Sequence, residues 1–538
     1  MSVDAVSLEV FRRLFASVAE EMGAALGRTA WSPNIKERRD YSCAVFDAAG
    51  RLVAQAEHIP VHLGAMPASV QAAIERFDSF QRGDLIALND PYLGGTHLPD
   101  LTLISPVFVP RDEAGGETDV LAGFVATRAH HADVGGIAPG SMPTSTSIYQ
   151  EGFIIPPIRL ARAGALNEEA VELFMRNVRT PDERRGDLAA QIAANRIGES
   201  RYERLIARYG RSTVTEHVNA LIDYAERLVR SALREIPAGR YTFADDMEPP
   251  RPSDDRPRIV VTLISDGAGT LTVDFTGTSP EQPMSNINAV RAVTVSAVQY
   301  CARCLAGPLT PANHGSFASV EVITPEGTLV NPRPPCAVSA GNVETSQRIV
   351  DVVFGALADV LPDTIPAASQ GTMNNITIGG MDPRTGRPYA YYETLAGGVG
   401  AGPGAPGESA IHSHMTNTLN TPIEALEFQY PFRVTAYGVR RGSGGNGRFR
   451  GGDGLVRTVE FLAPATVSLL TERRSRGAWG LAGGADGAPG RNILRRMGEE
   501  ARDIPLPPSV TIDVGPGDLL TIETPGGGGW GAPETPDV

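Results

Sequence analysis

The residues best equipped for chemistry lie in two short segments. Gly94-Gly95-Thr96-His97-Leu98-Pro99-Asp100 and His130-His131-Ala132-Asp133-Val134-Gly135-Gly136 each set an imidazole three residues before a carboxylate, in a chain with nine histidines. Two imidazoles and one carboxylate can hold a divalent metal and leave positions open for water or substrate. Glycines on both sides let the backbone approach a ligand closely. Spacing alone leaves the other reading open, in which these histidines cap strands and bond to backbone.

Other polar residues form smaller groups. His58 and His62 flank Pro60, which forbids a regular helix interior, so an extended segment is expected to put both on one face as proton carriers. Asp133 is a third candidate for that role. His412 and His414, with Thr416, Asn417, Asn420 and Glu424, make a polar cluster after a glycine-rich loop; alternation predicts both imidazoles on one side, facing substrate carbonyls or a second ion. Gly341-Asn-Val-Glu344-Thr-Ser-Gln-Arg348 reads as a turn opening a helix. Its N–H groups and Arg348 suit an anion, beside Glu344; the plainer reading is a cap by Thr345 or Ser346. Asp274, Ser279, Asn286 and Asn288 form a further polar patch. Cys301 and Cys304 stand alone as a CxxC in a stretch that reads as a buried helix, so structural thiols are expected.

These groups need elements to position them. Residues 4–27 carry Leu8, Phe11, Phe15, Val18 and Met22 at helical spacing, with Gly27 as a stop. A hairpin is expected in 41–55, a short helix over 65–77, and strands over 84–89, 101–109 and 120–128. If the last two are antiparallel neighbours, the start of one lies beside the end of the other, which gathers His97, Asp100 and His130 at one sheet edge. Residues 166–237 read as two or three helices broken near Pro181 and Gly210. Strands return from Tyr241, a helix covers 287–305, and the chain is strand- and turn-rich after 430. The glycine tracts at 396–407 and 442–454 lie between apolar runs and do not read as linkers. The fold class is α+β, with several mixed or antiparallel sheets, a helical insertion and a strand-rich end. The regions are 1–160, bearing the metal-type residues, a helical 161–240, a central α/β 241–430, and 431–538.

Composition excludes several functions. The 538 residues are 42% apolar and 20% charged, as in ordinary globular proteins. A formal charge of −14 argues against nucleic acid as a partner. Of 48 basic residues one is a lysine, Lys36, so no P-loop lysine exists. No G-x-S-x-G supports a serine hydrolase. The first residues have no apolar signal region and no run is long enough to span a membrane, so a cytoplasmic protein is expected.

The ordered string RRDYSCAVFD, HIPVHLGAMP, NDPYLGGTHLPDLTLISPVF, RAHHADVGG, DFTGTSP, SAGNVETSQRIVD and GGGGWG resembles the hydantoinase B/oxoprolinase family over nearly the whole chain. Its members include B subunits of ATP-dependent N-methylhydantoinase, the corresponding part of 5-oxoprolinase, the caprolactamase beta subunit and the acetone carboxylase alpha subunit. The resemblance implies a hetero-oligomer with a hydantoinase A-type, kinase-like subunit that binds ATP and activates a small cyclic amide. It implies a divalent transition metal (manganese, iron or zinc) on His97, Asp100 and His130, with His131 as an alternate. His58, His62 and Asp133 would carry protons, and Glu344, Arg348, His412 and His414 would face substrate. Two alternatives remain at this point: an alpha-type subunit of an ATP-dependent ketone carboxylase, and a non-catalytic partner that stabilises the A subunit.

Overall fold

The computed structural model describes residues 3–56, 59–111, 119–251, 253–497 and 502–533. Its first helix, α1 (Ala5–Thr29), is capped by Asp4, whose carboxylate accepts from the Ser7 N–H at 2.7 Å. Phe11, Phe15, Val18 and Met22 line its buried face as their spacing requires. Gly27 does not end it. The helix runs on to Thr29, and Gly27 sits against Tyr41, where a Cβ would come within 2.7 Å of the phenol oxygen.

A short α2 (Pro33–Lys36) leads into a seven-stranded sheet. Its strands are β1 (Tyr41–Asp47), β2 (Leu52–Gln55), β3 (Leu85–Leu88), β4 (Asp100–Pro110), β5 (Asp119–His130), β6 (Ile158–Arg162) and β7 (Ala165–Leu166), in spatial order β2-β1-β5-β4-β3-β6-β7. All neighbours are antiparallel. Strand alternation divides the core. Cys43, Val45, Val107 and Val125 face α1 and two further helices, while Ala44, Phe46, Ile104 and Phe124 face α3 (Ala65–Arg76) on the other side. Each fully buried side chain of this size contributes about 1.5–3 kcal/mol of transfer free energy.

The helical insertion contains α4 (Glu168–Met175), α5 (Pro181–Tyr209) and α6 (Arg211–Leu233), with breaks at Pro181 and Gly210 as read from the sequence. A four-stranded sheet follows, from 239–246, 258–265, 271–274 and 320–323, and its last pair is parallel. It carries the helices Arg291–Ala306 and Ser346–Ala358 in one large core. Two more sheets close the chain. Ile376, Ile378, Tyr391 and Val467 of one pack against Phe432, Val459, Phe461 and Ile522 of the other. Alternation along Arg387–Glu393 therefore sends Tyr391 into that sandwich and Tyr392 the opposite way. Among the described residues no helix is long and apolar enough to cross a membrane.

Candidate metal centre

Asp100 opens β4, His130 closes β5, and the register sets them directly opposite each other. His97 arrives from the loop before β4. Gly94 turns that loop with φ +93°, a left-handed conformation glycine adopts without penalty. Side chains fix the rest: Asn89 Nδ2 donates to Leu98 O at 2.8 Å, and Arg128 donates to Thr102 Oγ1 at 2.9 Å and Ser69 Oγ at 2.6 Å. Ser69 in turn donates to Gly94 O at 2.6 Å.

The result is a buried three-residue donor set. Ligand atoms of His97, Asp100 and His130 all lie within 4.8 Å of one another. His97 Nε2 is 3.1 Å and His130 Nδ1 3.4 Å from Asp100 Oδ1. The other oxygen, Oδ2, accepts from Thr96 Oγ1 at 2.5 Å and sits 3.3 Å from His62 Nε2. His62 Nδ1 is held by Ser42 Oγ at 2.8 Å. Burial works against charge on Asp100, but the His97 and His62 imidazoles and hydrogen bonds from His130 and His62 hold its carboxyl well below the usual carboxylate range. Burial pushes the His130 imidazole down, toward its neutral, ligating form. Both ring nitrogens of His97 and Nε2 of His130 are shut from solvent with no hydrogen-bond partner. Buried polar atoms are rarely left so. A divalent transition metal would satisfy at most one nitrogen of each ring, and the two imidazoles plus one carboxylate fit its preferences.

Sequence reasoning missed the supports of this site. The Tyr392 ring stacks on His130 at 4.2 Å and 12°, and the Arg38 guanidinium lies 4.7 Å from the Tyr392 ring centre. Asn34 Nδ2 donates to His130 O at 2.6 Å. Asn34 lies on α2 and Arg38 just after it, as the first residue of the RRDYS segment, which was a usable signal; a Tyr-Tyr pair inside a strand carries none.

The remaining candidates are dispersed. His58 lies outside the described residues. His62 sits in a 3₁₀ turn, Pro60–His62, and not in the extended segment expected, because proline favours the first turn of such a helix. His131 turns away from the triad: its Nε2 meets Gln191 Oε1 at 2.9 Å and its ring meets Phe174 edge-on. The carboxylate of Asp133 is taken up by the N–H groups of Gly135, Gly140 and Arg179 and by Arg179 Nη1, so it clips a loop. Arg348 is not free for an anion, since Asp245, Asp351, Glu472 and the Asp246 carbonyl surround it. Residues 341–345 form a π turn, in which Thr345 and Ser346 donate to Ile287 O and Asn342 O and cap nothing. Glu344 is buried against Asn375 and Met373.

His412 and His414 are not on one face of an extended strand: His414 has φ +56° in a turn. Its Nδ1 is 3.4 Å from Tyr300 OH and its Nε2 3.9 Å from Asp351. Burial lowers its pKa to about 4, and burial with the nearby Arg38 charge lowers that of His412 to about 3. Asn286 and Asn288 pin loops through backbone carbonyls. Cys304 is exposed, whereas Cys301 is buried and burial raises its thiol away from reactivity.

An α+β fold thus holds the histidine–carboxylate triad at the paired ends of two central strands, β4 and β5. Residues 4–533 match the hydantoinase B/oxoprolinase family, and the chain belongs to it. It is 42% identical over 541 residues to an uncharacterised protein of Methanocaldococcus jannaschii, covering all of this chain and 92% of that one. It is 42% identical over 552 residues to 5-oxoprolinase 1 of Arabidopsis thaliana, covering 98% of this chain and 42% of that longer one. The chain thus spans about two fifths of the 5-oxoprolinase length. Among solved structures, the ATP-dependent caprolactamase of Pseudomonas jessenii superposes with TM-score 0.89 at 27% identity, covering 99% of this chain and 92% of that one. An acetone carboxylase shares the fold, with TM-score 0.87 at 21% identity, over 97% of this chain and 75% of that one.

Proposed function

We propose that this chain is the metal-bearing part of an ATP-dependent amidohydrolase that opens a small cyclic amide: a hydantoin, 5-oxoproline or a lactam. The observation that carries the reading is the buried His97–Asp100–His130 donor set, with unpartnered ring nitrogens, in a chain of this family. These three residues would hold manganese, iron or zinc, and such an ion supplies Lewis acidity toward a carbonyl and a more acidic bound water. The chain's own side chains do the positioning. Asp100 presents Oδ1 to the centre because Thr96 and His62 occupy Oδ2. Tyr392 fixes the plane of His130 by stacking. His62, backed by Ser42, is the group placed to hold a proton beside Asp100.

Unstrained amides hydrolyse slowly, so the substrate must be activated. With one lysine and no P-loop here, ATP use is assigned to a hydantoinase A-type partner subunit in a hetero-oligomer. The test is elemental analysis and turnover of His97→Ala and His130→Ala, each assembled with that partner. Both variants should fold, lose metal and lose nearly all turnover. Wild-type metal content and rate in both would sink the reading.

A further inference from the structure

Arg38 is wholly buried, yet the groups that accept its hydrogen bonds are uncharged. Nη1 donates to Asn34 Oδ1 and, at 3.2 Å, to Tyr392 O; Nη2 donates to Thr394 Oγ1 at 2.8 Å and to Thr418 Oγ1 at 3.3 Å. The Asp40 carboxylate stands off at 3.7 Å, and Nε has no hydrogen-bond partner. A buried cation is costly unless a carboxylate bonds to it, so neutral anchoring alone does not account for an arginine here. The backbone beside it is strained as well. Arg39 has φ +57°, a left-handed conformation uncommon for a residue with a side chain, and such strain gathers where function needs a fixed geometry.

The residue this arrangement serves is His130. Its main chain is held on both sides: Asn34 Nδ2 donates to His130 O at 2.6 Å, and the His130 N–H donates to Asp40 O at 3.0 Å. Arg38 donates to Asn34 Oδ1, which fixes that amide with its Nδ2 toward the histidine carbonyl. The ring is held separately. The Arg38 guanidinium lies 4.7 Å from the centre of the Tyr392 ring, a cation–π contact that exclusion of water strengthens. The same ring stacks on the His130 imidazole at 4.2 Å and 12°. The His97 and His130 rings are inclined at 60° with centres 5.0 Å apart. An imidazole lone pair lies in the ring plane, so rotating one ring would carry its lone pair away from the point the two share.

We infer that Arg38 is a positioning residue for the metal centre: through Tyr392 and Asn34 it sets the plane in which His130 offers its lone pair. The inference rests on the proposed metal at the triad and names what orients one of its ligands.

Titration of the whole chain with Co²⁺ tests it, because the visible absorption of that ion reports ligand geometry as well as occupancy. Arg38→Met and Tyr392→Leu should each shift the band and weaken Co²⁺ binding about ten-fold, as supports of a ligand do. Tyr392→Phe keeps the ring and should keep the wild-type band. The double variant Arg38→Met/Tyr392→Leu should lose clearly less than the hundred-fold or so that independent effects would multiply to, since the two residues act along one path. An Arg38→Met protein with the wild-type band and affinity would overturn the inference, and so would a double variant at the full product. A lowered unfolding midpoint with an unshifted band would mean that Arg38 only braces the fold, and would overturn it too. If Arg38→Met does not fold, Arg38→Gln, which keeps an amide donor and lacks the cation, is read in the same way. Wild type that takes up no Co²⁺ would overturn the proposed function together with this inference, whereas loaded variants indistinguishable from loaded wild type would overturn this inference alone.

Discussion

Asp100 is asked to do two things with one carboxylate: face the centre with Oδ1 and anchor on Thr96 and His62 with Oδ2. A ligating carboxylate held in this way has less freedom to lose on binding an ion, which is how neighbours of a ligand tune affinity. His62 contributes through orientation, because its far nitrogen is spoken for by Ser42. His62→Asn should therefore lower affinity for Mn²⁺ or Zn²⁺ by about 10–100-fold while leaving the three ligands in place. A competition titration with a chelating dye reads this out. An unchanged affinity would mean that Thr96 alone orients Asp100.

At the scale of elements, the centre depends on the β4–β5 register and on the loop before β4. A slip of one residue would turn either Asp100 or His130 to the opposite face. Arg128 ties the strands to the loop and α3: it is wholly buried, burial lowers its pKa to about 10, it reaches Thr102, and Ser69 passes the tie on to Gly94. Arg128→Met fills the volume but leaves these oxygens short of a donor, at about 1–3 kcal/mol for each group left unsatisfied. The expected result is a lower unfolding midpoint together with weaker metal binding, though no ligand has changed. Loss of stability with intact affinity would show that the loop holds its shape without the arginine.

The whole molecule is closed by glycine. Residues 526–529 thread between two other glycine-rich segments and the stretch at Ala368, with Gly527 N bonded to Gly452 O, Gly528 N to Ala368 O, Gly445 N to Gly527 O and Ala401 N to Gly528 O. Backbones approach so closely that a Cβ at Gly528 would lie 2.1 Å from Trp479 O. Real side chains never come that near, and the neighbour is rigid main chain. Gly528→Ala should cost about 3 kcal/mol, the upper end of the overpacking range, in denaturant unfolding. An alanine variant as stable as the wild type would show that the segment can move aside.

The sequence by itself determined most of the secondary structure, the α+β class and the metal-ligand candidates. Periodicity reports burial locally, Gly and Pro mark breaks, and antiparallel neighbours bring the ends of consecutive strands together without further information. It also showed that the glycine tracts were not linkers, since apolar runs enclose them. Only the tertiary structure chose between His130 and His131, by pairing Asp100 with the first and turning the second toward Gln191. It drew in Tyr392 and Arg38, whose contacts cross most of the chain. It withdrew Asp133 and Arg348 by surrounding them with protein partners, and it left one oxygen of Glu344 without any. Whether a charged or polar side chain is free depends on who its neighbours are, and for these residues the neighbours come from distant segments that no local pattern encodes.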